Sequence, residues 1–134
     1  MKRHMLKSKI HRATVTGADL NYEGSISIDP ALCAQADLVE FEQVDVYDID
    51  NGSRLTTYVI FGKPGEVCLN GAAARLVHRG DRVIVASYVD VEEGEVDAHK
   101  PRILLLDADN RVAKERRPPV RRQASRTPKE IAKQ

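Results

Sequence analysis

Polar and apolar positions alternate along most of this chain, and a period of two predicts strands rather than helices. From Met5 to Thr16 the pattern predicts a strand with Lys9, His11, Ala13 and Val15 on one face. Lys9 and His11 are then separated by two strand rises, about 7 Å, so both can look into one cavity. Taken alone, the alternation favours a plainer role, because lysine is a common guard on an exposed sheet edge. Gly17-Ala18-Asp19-Leu20 breaks the pattern and Ser25 to Ile28 resumes it. Asp29-Pro30 then opens a short helix over Ala31 to Asp37, with Asp as N-cap and Pro at the first helical position. Cys33 falls inside that helix as a small packing residue.

Gln43 to Asp50 and Arg54 to Phe61 both alternate, and Asn51-Gly52 lies between them, a strong hairpin signal. In the second run Arg54, Thr56, Tyr58 and Ile60 share one face, and Leu55, Thr57, Val59 and Phe61 the other. A site using Arg54, Thr57 and Tyr58 together therefore requires a bend, a bulge or a strand end. Lys63-Pro64-Gly65 is a turn, Val67 to Leu69 a short strand and Asn70-Gly71 a further punctuation. Ala72 to Val77 reads as a helical turn, and Arg82 to Val89, rich in β-branched residues, as a buried strand. Glu92 to Glu95 is a polar turn, Ile103 to Leu106 a last core strand and Asp107 to Asn110 a closing turn. Many short strands and few helices predict a mainly β protein, a small closed barrel.

Composition narrows this picture. With 134 residues the chain fits one domain, and with 4% aromatics and no Trp its core must come from Val, Ile, Leu and Ala. Residues 113 to 134 hold eight Lys/Arg against two Glu, a net +6, which leaves the first 112 residues near −5. The basic stretch has too few large apolar residues to offset its ordering entropy, which predicts a domain over 1–112 and a disordered tail over 113–134. Cys33 and Cys68 are isolated and no signal peptide or long apolar run is present, so a cytoplasmic protein with free thiols and no membrane partner is expected. Phosphate-binding glycine loops are absent, and His4, His11, His78 and His99 lack metal-ligand spacing, so no metal is expected. His78 and His99 are expected at solvated positions.

Gly24-Ser25 by itself is ordinary turn chemistry. Four stretches in order change its meaning: Met5 to Thr16 with Lys9 and His11; Leu20-Asn21-Tyr22-Glu23-Gly24-Ser25-Ile26; Asn51-Gly52 with Arg54 and Thr57-Tyr58; and Leu69-Asn70-Gly71-Ala72-Ala73-Ala74. Together they resemble the bacterial aspartate 1-decarboxylases, pyruvoyl-dependent carboxy-lyases that supply β-alanine for pantothenate synthesis. The resemblance runs from residue 1 to Val112. It implies a double-psi β-barrel, made as a zymogen and working as a homotetramer with sites between subunits. The loop Gly62 to Glu66 looks shorter than in many relatives, and the basic tail has no counterpart in the shared motifs.

By that resemblance Ser25 Oγ attacks the Gly24 carbonyl, and the resulting ester eliminates and hydrolyses. This autocatalytic cleavage leaves a pyruvoyl group, the covalent pyruvate cofactor, in place of Ser25. Such a ketone forms a Schiff base with L-aspartate and draws electrons from Cα as CO₂ leaves. Arg54 would hold the α-carboxylate and Lys9 the side-chain carboxylate. Tyr58 would be the proton donor to Cα. Thr57 and Asn70 would organise the cleavage site by polarising the Gly24 carbonyl, Gly71, Ala72 and Ala73 would line the pocket, and His11 and Tyr22 would support it.

A reading from another class is a non-catalytic barrel that binds nucleic acid through its basic tail. An acidic body without an aromatic stacking face stands against it. In the enzyme reading residues 113 to 134 are expected to be dispensable for decarboxylation.

Overall fold

The computed structural model describes residues 1–123, and nine strands dominate it. These are β1 (Lys2–Thr14), β2 (Gly17–Asp19), β3 (Ser25–Ile28), β4 (Gln43–Asp48), β5 (Arg54–Phe61), β6 (Val67–Asn70), β7 (Arg82–Glu92), β8 (Arg102–Leu106) and β9 (Val112–Arg116). One helix, α1 (Pro30–Ala36), and two short 3-10 turns, Gly71–Arg75 and Glu93–Ala98, complete the described part. The strand order is β2-β6-β3-β5-β4-β7-β1-β8-β9. Only Val15 and Thr16 separate β1 from β2, and their amides bond to Asp81 O at 2.8 Å and Val67 O at 2.7 Å. That junction brings two distant places in the strand order together and curls the sheet into a small barrel, the mainly β class that the alternation predicts.

Local signals produce the expected local structure. Asp29 Oδ1 accepts the Ala31 amide at 2.8 Å, so the N-cap and Pro30 start α1 as predicted. Strands β4 and β5 pair antiparallel from Gln43↔Tyr58 to Tyr47↔Arg54, and Gly52 takes φ +78° in the connecting turn. Ile10, Val15, Ile26, Ile28, Val44, Val46, Val59, Leu69, Val83, Val85 and Leu104 fill the core, with no aromatic ring among the buried residues.

Four expectations are corrected. Arg12 takes φ +65° at a register shift between His11 and Ala13, so the parity of β1 flips. Ala13 and Val15 therefore enter the core while Lys9 and His11 stay on the opposite side. Gly17 to Asp19, expected as a break, forms β2 and pairs parallel with β6 from Gly17↔Cys68 to Asp19↔Asn70. The boundary of the disordered tail at residue 113 is also wrong, because Val112 to Arg116 is the edge strand β9 on β8. An edge strand needs backbone partners on one side only and tolerates charged side chains on both faces, so its composition mimics disorder. Beyond β9, Arg122 pairs with Asp97 at 2.6 Å and with Glu93 at 3.0 Å, so part of the basic stretch is neutralised on the acidic body. The rest of the expected tail, 124–134, lies outside the described residues. His99, expected in solvent, bonds through Nε2 to Leu6 O at 2.7 Å.

A half-buried carboxylate joins the loop after α1 to β1 and β7. Lys7 Nζ donates to Glu42 Oε2 at 2.7 Å, Ser87 Oγ donates to the same oxygen at 2.6 Å, and the Val39 amide donates to Oε1 at 3.1 Å. Burial alone would raise the Glu42 pKa, but these hydrogen bonds and the Lys7 charge outweigh it and hold the group below the ordinary glutamate value. A depressed carboxylate contributes stability above its unfolded pKa and loses it as pH falls through the folded value. Glu42→Gln is expected to cost about 2 kcal/mol at pH 7. Thermal melts of both proteins should converge below about pH 4; a gap that stays constant down to pH 3 would show that charge is not its source.

Candidate functional site

Ser25 and Asn70 face each other as partners in the antiparallel β3/β6 pair, which also aligns Ser27 with Cys68. Side chains of such partners emerge on the same face of a sheet. Asn70 Nδ2 accordingly donates to Ser25 Oγ at 3.0 Å and to Ser27 Oγ at 2.9 Å, while its Oδ1 accepts the Cys68 thiol at 3.4 Å. Burial first, then the Glu66 and Asp19 charges, pushes the Cys68 pKa up, so the thiol keeps its proton. The Asn70 amide group is thus used from both ends. Ser25 Oγ in turn donates to Glu23 O at 3.1 Å. Ser25 is fully buried and Gly24 exposed, so the peptide bond between them crosses the protein's surface boundary.

Gly71 follows Asn70 at φ +63°, a conformation that L side chains resist. A Cβ placed there would lie 2.7 Å from both N and Cα of Gly24 and 2.9 Å from Tyr22 O. Two glycine backbones touch here, and no other residue at position 71 would let the chain before Ser25 lie so close. Beside this contact is a cavity of about 360 Å³ lined by Gly24, Leu55, Thr56, Thr57, Tyr58, Ala72, Ala73 and Leu76.

Of the bend, bulge or strand end expected for β5, no bend or bulge is found, yet Thr56, Thr57 and Tyr58 all reach the cavity. The pairing of β5 with β4 is regular throughout. On its other side β5 pairs with β3 only from Val59 to Phe61, so Arg54 to Tyr58 form an open edge toward Gly24. An open edge exposes side chains of both parities. Hydrogen bonding also holds the hairpin tip against the cavity wall, Asn51 Nδ2 donating to Leu76 O at 2.8 Å.

The remaining predicted residues fall elsewhere. Arg54 stacks its guanidinium 4.5 Å from the centroid of the Tyr47 ring and enters no ion pair among the described residues. Tyr22 is half exposed and meets Gly71 through its carbonyl. Lys9 and His11 do share a cavity as expected, but a different one, of about 280 Å³, with Ile103, Leu105, Lys114 and Arg116. Burial, followed by the charges of Lys9, Arg12 and Arg116, lowers the His11 pKa, so this imidazole is neutral at pH 7. Asn70 bonds to the two serine hydroxyls rather than to the Gly24 carbonyl, and Thr57 lines the cavity without a side-chain hydrogen bond.

The sequence reading missed Ser27, Cys68, Tyr47, Leu55 and Leu76. The first two were accessible, since Ser27 lies two residues from Ser25 and Cys68 two from Asn70, each on the same strand face.

A buried serine next to an exposed glycine, locked by an asparagine from another strand, agrees with comparisons at the level of sequence. The sequence model of the family described as aspartate decarboxylase matches residues 1–113. This chain belongs to the aspartate decarboxylase family. The aspartate 1-decarboxylase of Hydrogenobaculum sp. is 56% identical over 117 residues, covering 87% of this chain and 94% of that protein. That of Syntrophus aciditrophicus is 60% identical over 114 residues, covering 84% of this chain and 98% of that protein. The aspartate decarboxylase match takes in every residue of the Gly24 cavity and stops before Lys114 and Arg116.

The glycine contact yields a test of the site's geometry. Gly71→Ala combines positive φ with a backbone clash and is expected to cost about 3 kcal/mol or more. Gly52→Ala, at φ +78° but with open space around it, should cost about 1 kcal/mol. Urea unfolding in a Ser25→Ala background measures both; equal losses would mean the Gly24–Gly71 approach is not tight.

Proposed function

We propose that the protein cuts itself between Gly24 and Ser25 and then decarboxylates L-aspartate to β-alanine and CO₂, in the cytoplasm, as a step of pantothenate synthesis. The observation that carries this reading is the position of Ser25 Oγ. It is buried on the residue that follows Gly24, accepts from Asn70 and donates its proton toward Glu23 O.

Those contacts suit an attack on the preceding peptide bond. Asn70 fixes the Oγ rotamer, Glu23 O takes up the hydroxyl proton's direction, and Gly24 and Gly71 keep side chains out of the path. Oγ–C bond formation and C–N cleavage convert the amide to an ester. Elimination then releases Gly24 as a carboxylate, and hydrolysis with loss of ammonia leaves a pyruvoyl group at the head of the chain that begins at position 25. A ketone there supplies an electron sink for decarboxylation of a bound amino acid.

The chain's own residues would then bind and protonate. Arg54, held over the Tyr47 ring and without an acid partner among the described residues, holds the α-carboxylate. Tyr58 lines the cavity with Gly24 and supplies the proton to Cα. Thr57, Ala72 and Ala73 shape the walls, with Gly71 beneath. Lys9 holds the side-chain carboxylate, and the neutral His11 supports it by hydrogen bonding.

Lys9 and the Gly24 cavity share no lining residue within one chain, which favours a site completed between copies. Val39, Phe41, Phe61, Leu76 and Tyr88 leave apolar surface exposed that an assembly would cover. A homotetramer of cleaved subunits fits both observations.

Intact mass under denaturing conditions tests the central step. Wild type is expected to give two fragments divided between Gly24 and Ser25, the larger beginning with a pyruvoyl group. Ser25→Ala should remain one inactive chain, and any cleavage in it would refute the mechanism. Asn70→Ala should cut about ten- to a hundredfold more slowly, the value of one well-placed hydrogen bond. Arg54→Ala should cut normally but lose aspartate turnover; full activity would remove Arg54 from the site.

A further inference from the structure

On the side of β1, β8 and β9 that faces away from the core, the registers set side chains in two rows. Lys9 lies beside Ile103 and Ile103 beside Arg116; His11 lies beside Leu105 and Leu105 beside Lys114. Strand spacing puts β1 and β9 about 10 Å apart, and two strand rises put the rows about 7 Å apart. Cationic or imidazole groups therefore stand at the corners of a small rectangle whose floor is Ile103 and Leu105, around a cavity of about 280 Å³.

What sets this place apart is that three cations line one cavity without an acid beside them. Among the described residues Lys9, Lys114 and Arg116 pair with none, and the cavity lining contains no acid. His11 Nδ1 is buried there without a hydrogen-bond partner. Three unneutralised cations and an orphaned imidazole nitrogen over an apolar floor match a small carboxylate carried on a methylene group.

We infer that Arg116 and Lys114, supplied by β9, join Lys9 in holding the side-chain carboxylate of L-aspartate and set the preference for an amino-dicarboxylate. This rests on the reading of Lys9 as the residue that meets that carboxylate. Arg116 presents a planar fork where Lys9 presents a point charge, so it fixes the carboxylate's orientation. Both β9 cations lie just beyond residue 113, where the match to the family model ends. Residues 113 to 116 are consequently not dispensable.

Steady-state decarboxylation of L-aspartate by the full-length, self-cleaved protein tests this, with intact mass recording the extent of cleavage. Arg116→Gln and Lys114→Gln are each expected to raise KM about five- to tenfold, and the double variant further, with kcat within about twofold and cleavage unchanged. Arg116→Lys should recover part of the loss. Inorganic phosphate should compete with aspartate in wild type and far less in the double variant. An unchanged KM in the double variant, alongside a raised KM in Lys9→Gln, would overturn the inference and leave the decarboxylase reading standing. Loss of phosphate competition with KM unchanged would also overturn it, because the cavity would then be an anion site off the substrate's path. A fully cleaved wild type that turns over no aspartate would sink the underlying reading itself.

Discussion

The pairing of Ser25 with Asn70 across β3 and β6 is the contact on which the arrangement around Gly24 depends. The two residues are 45 apart in sequence, yet the ladder makes them direct neighbours and forces their side chains onto one face. An asparagine amide has two donors and one acceptor oxygen, and here Ser25, Ser27 and Cys68 take all three roles. With both Nδ2 hydrogens committed in a buried setting, the amide has little freedom to turn, so the Ser25 hydroxyl inherits a single orientation. Gly71 continues the same strand end and carries the chain against Gly24, so the residue that orients the hydroxyl and the residue that positions the adjoining carbonyl are consecutive.

The barrel provides access by leaving β5 unfinished. Val59 to Phe61 close against β3, while Arg54 to Tyr58 have β4 on one side and the cavity on the other. A fully paired strand would have buried half of those side chains in the core and turned the other half to solvent. Across the molecule, the Arg12 bulge performs a comparable service for β1. It keeps Lys9 and His11 outside while Ala13 and Val15 return to the core, so one strand serves both the interior and a charged surface.

Short-range features were legible in the sequence because short-range physics decides them. Asp29-Pro30 caps α1 and Asn51-Gly52 turns the hairpin whatever the rest of the chain does. The parity flip at Arg12 was not legible, since a non-glycine residue at positive φ is imposed by pairing with two neighbouring strands rather than by its own preference. The strand at Val112 to Arg116 was hidden for a related reason: its stability comes from β8, and its polar side chains report only that it lies at an edge. Of the site, the motifs around Ser25 and Asn70 could be picked out, and the family resemblance tied them together. That Lys9 and His11 occupy a separate cavity with two cations from β9 is a fact of register, invisible until β8 places one strand on each side.

The location of β1 has a mechanical consequence. This strand of 13 residues lies between β7 and β8, inside the sheet rather than at its margin, and its buried side chains are threaded into the common core. Were the backbone severed after Gly24, the short leading piece would stay locked in place, because withdrawing it would require stripping hydrogen bonds from both flanks and opening the barrel. Such a nicked molecule would keep the size and shape of an intact one in any native separation. Its two pieces would have no independent folded existence, and a break in the covalent chain would go unnoticed until the fold itself was taken apart.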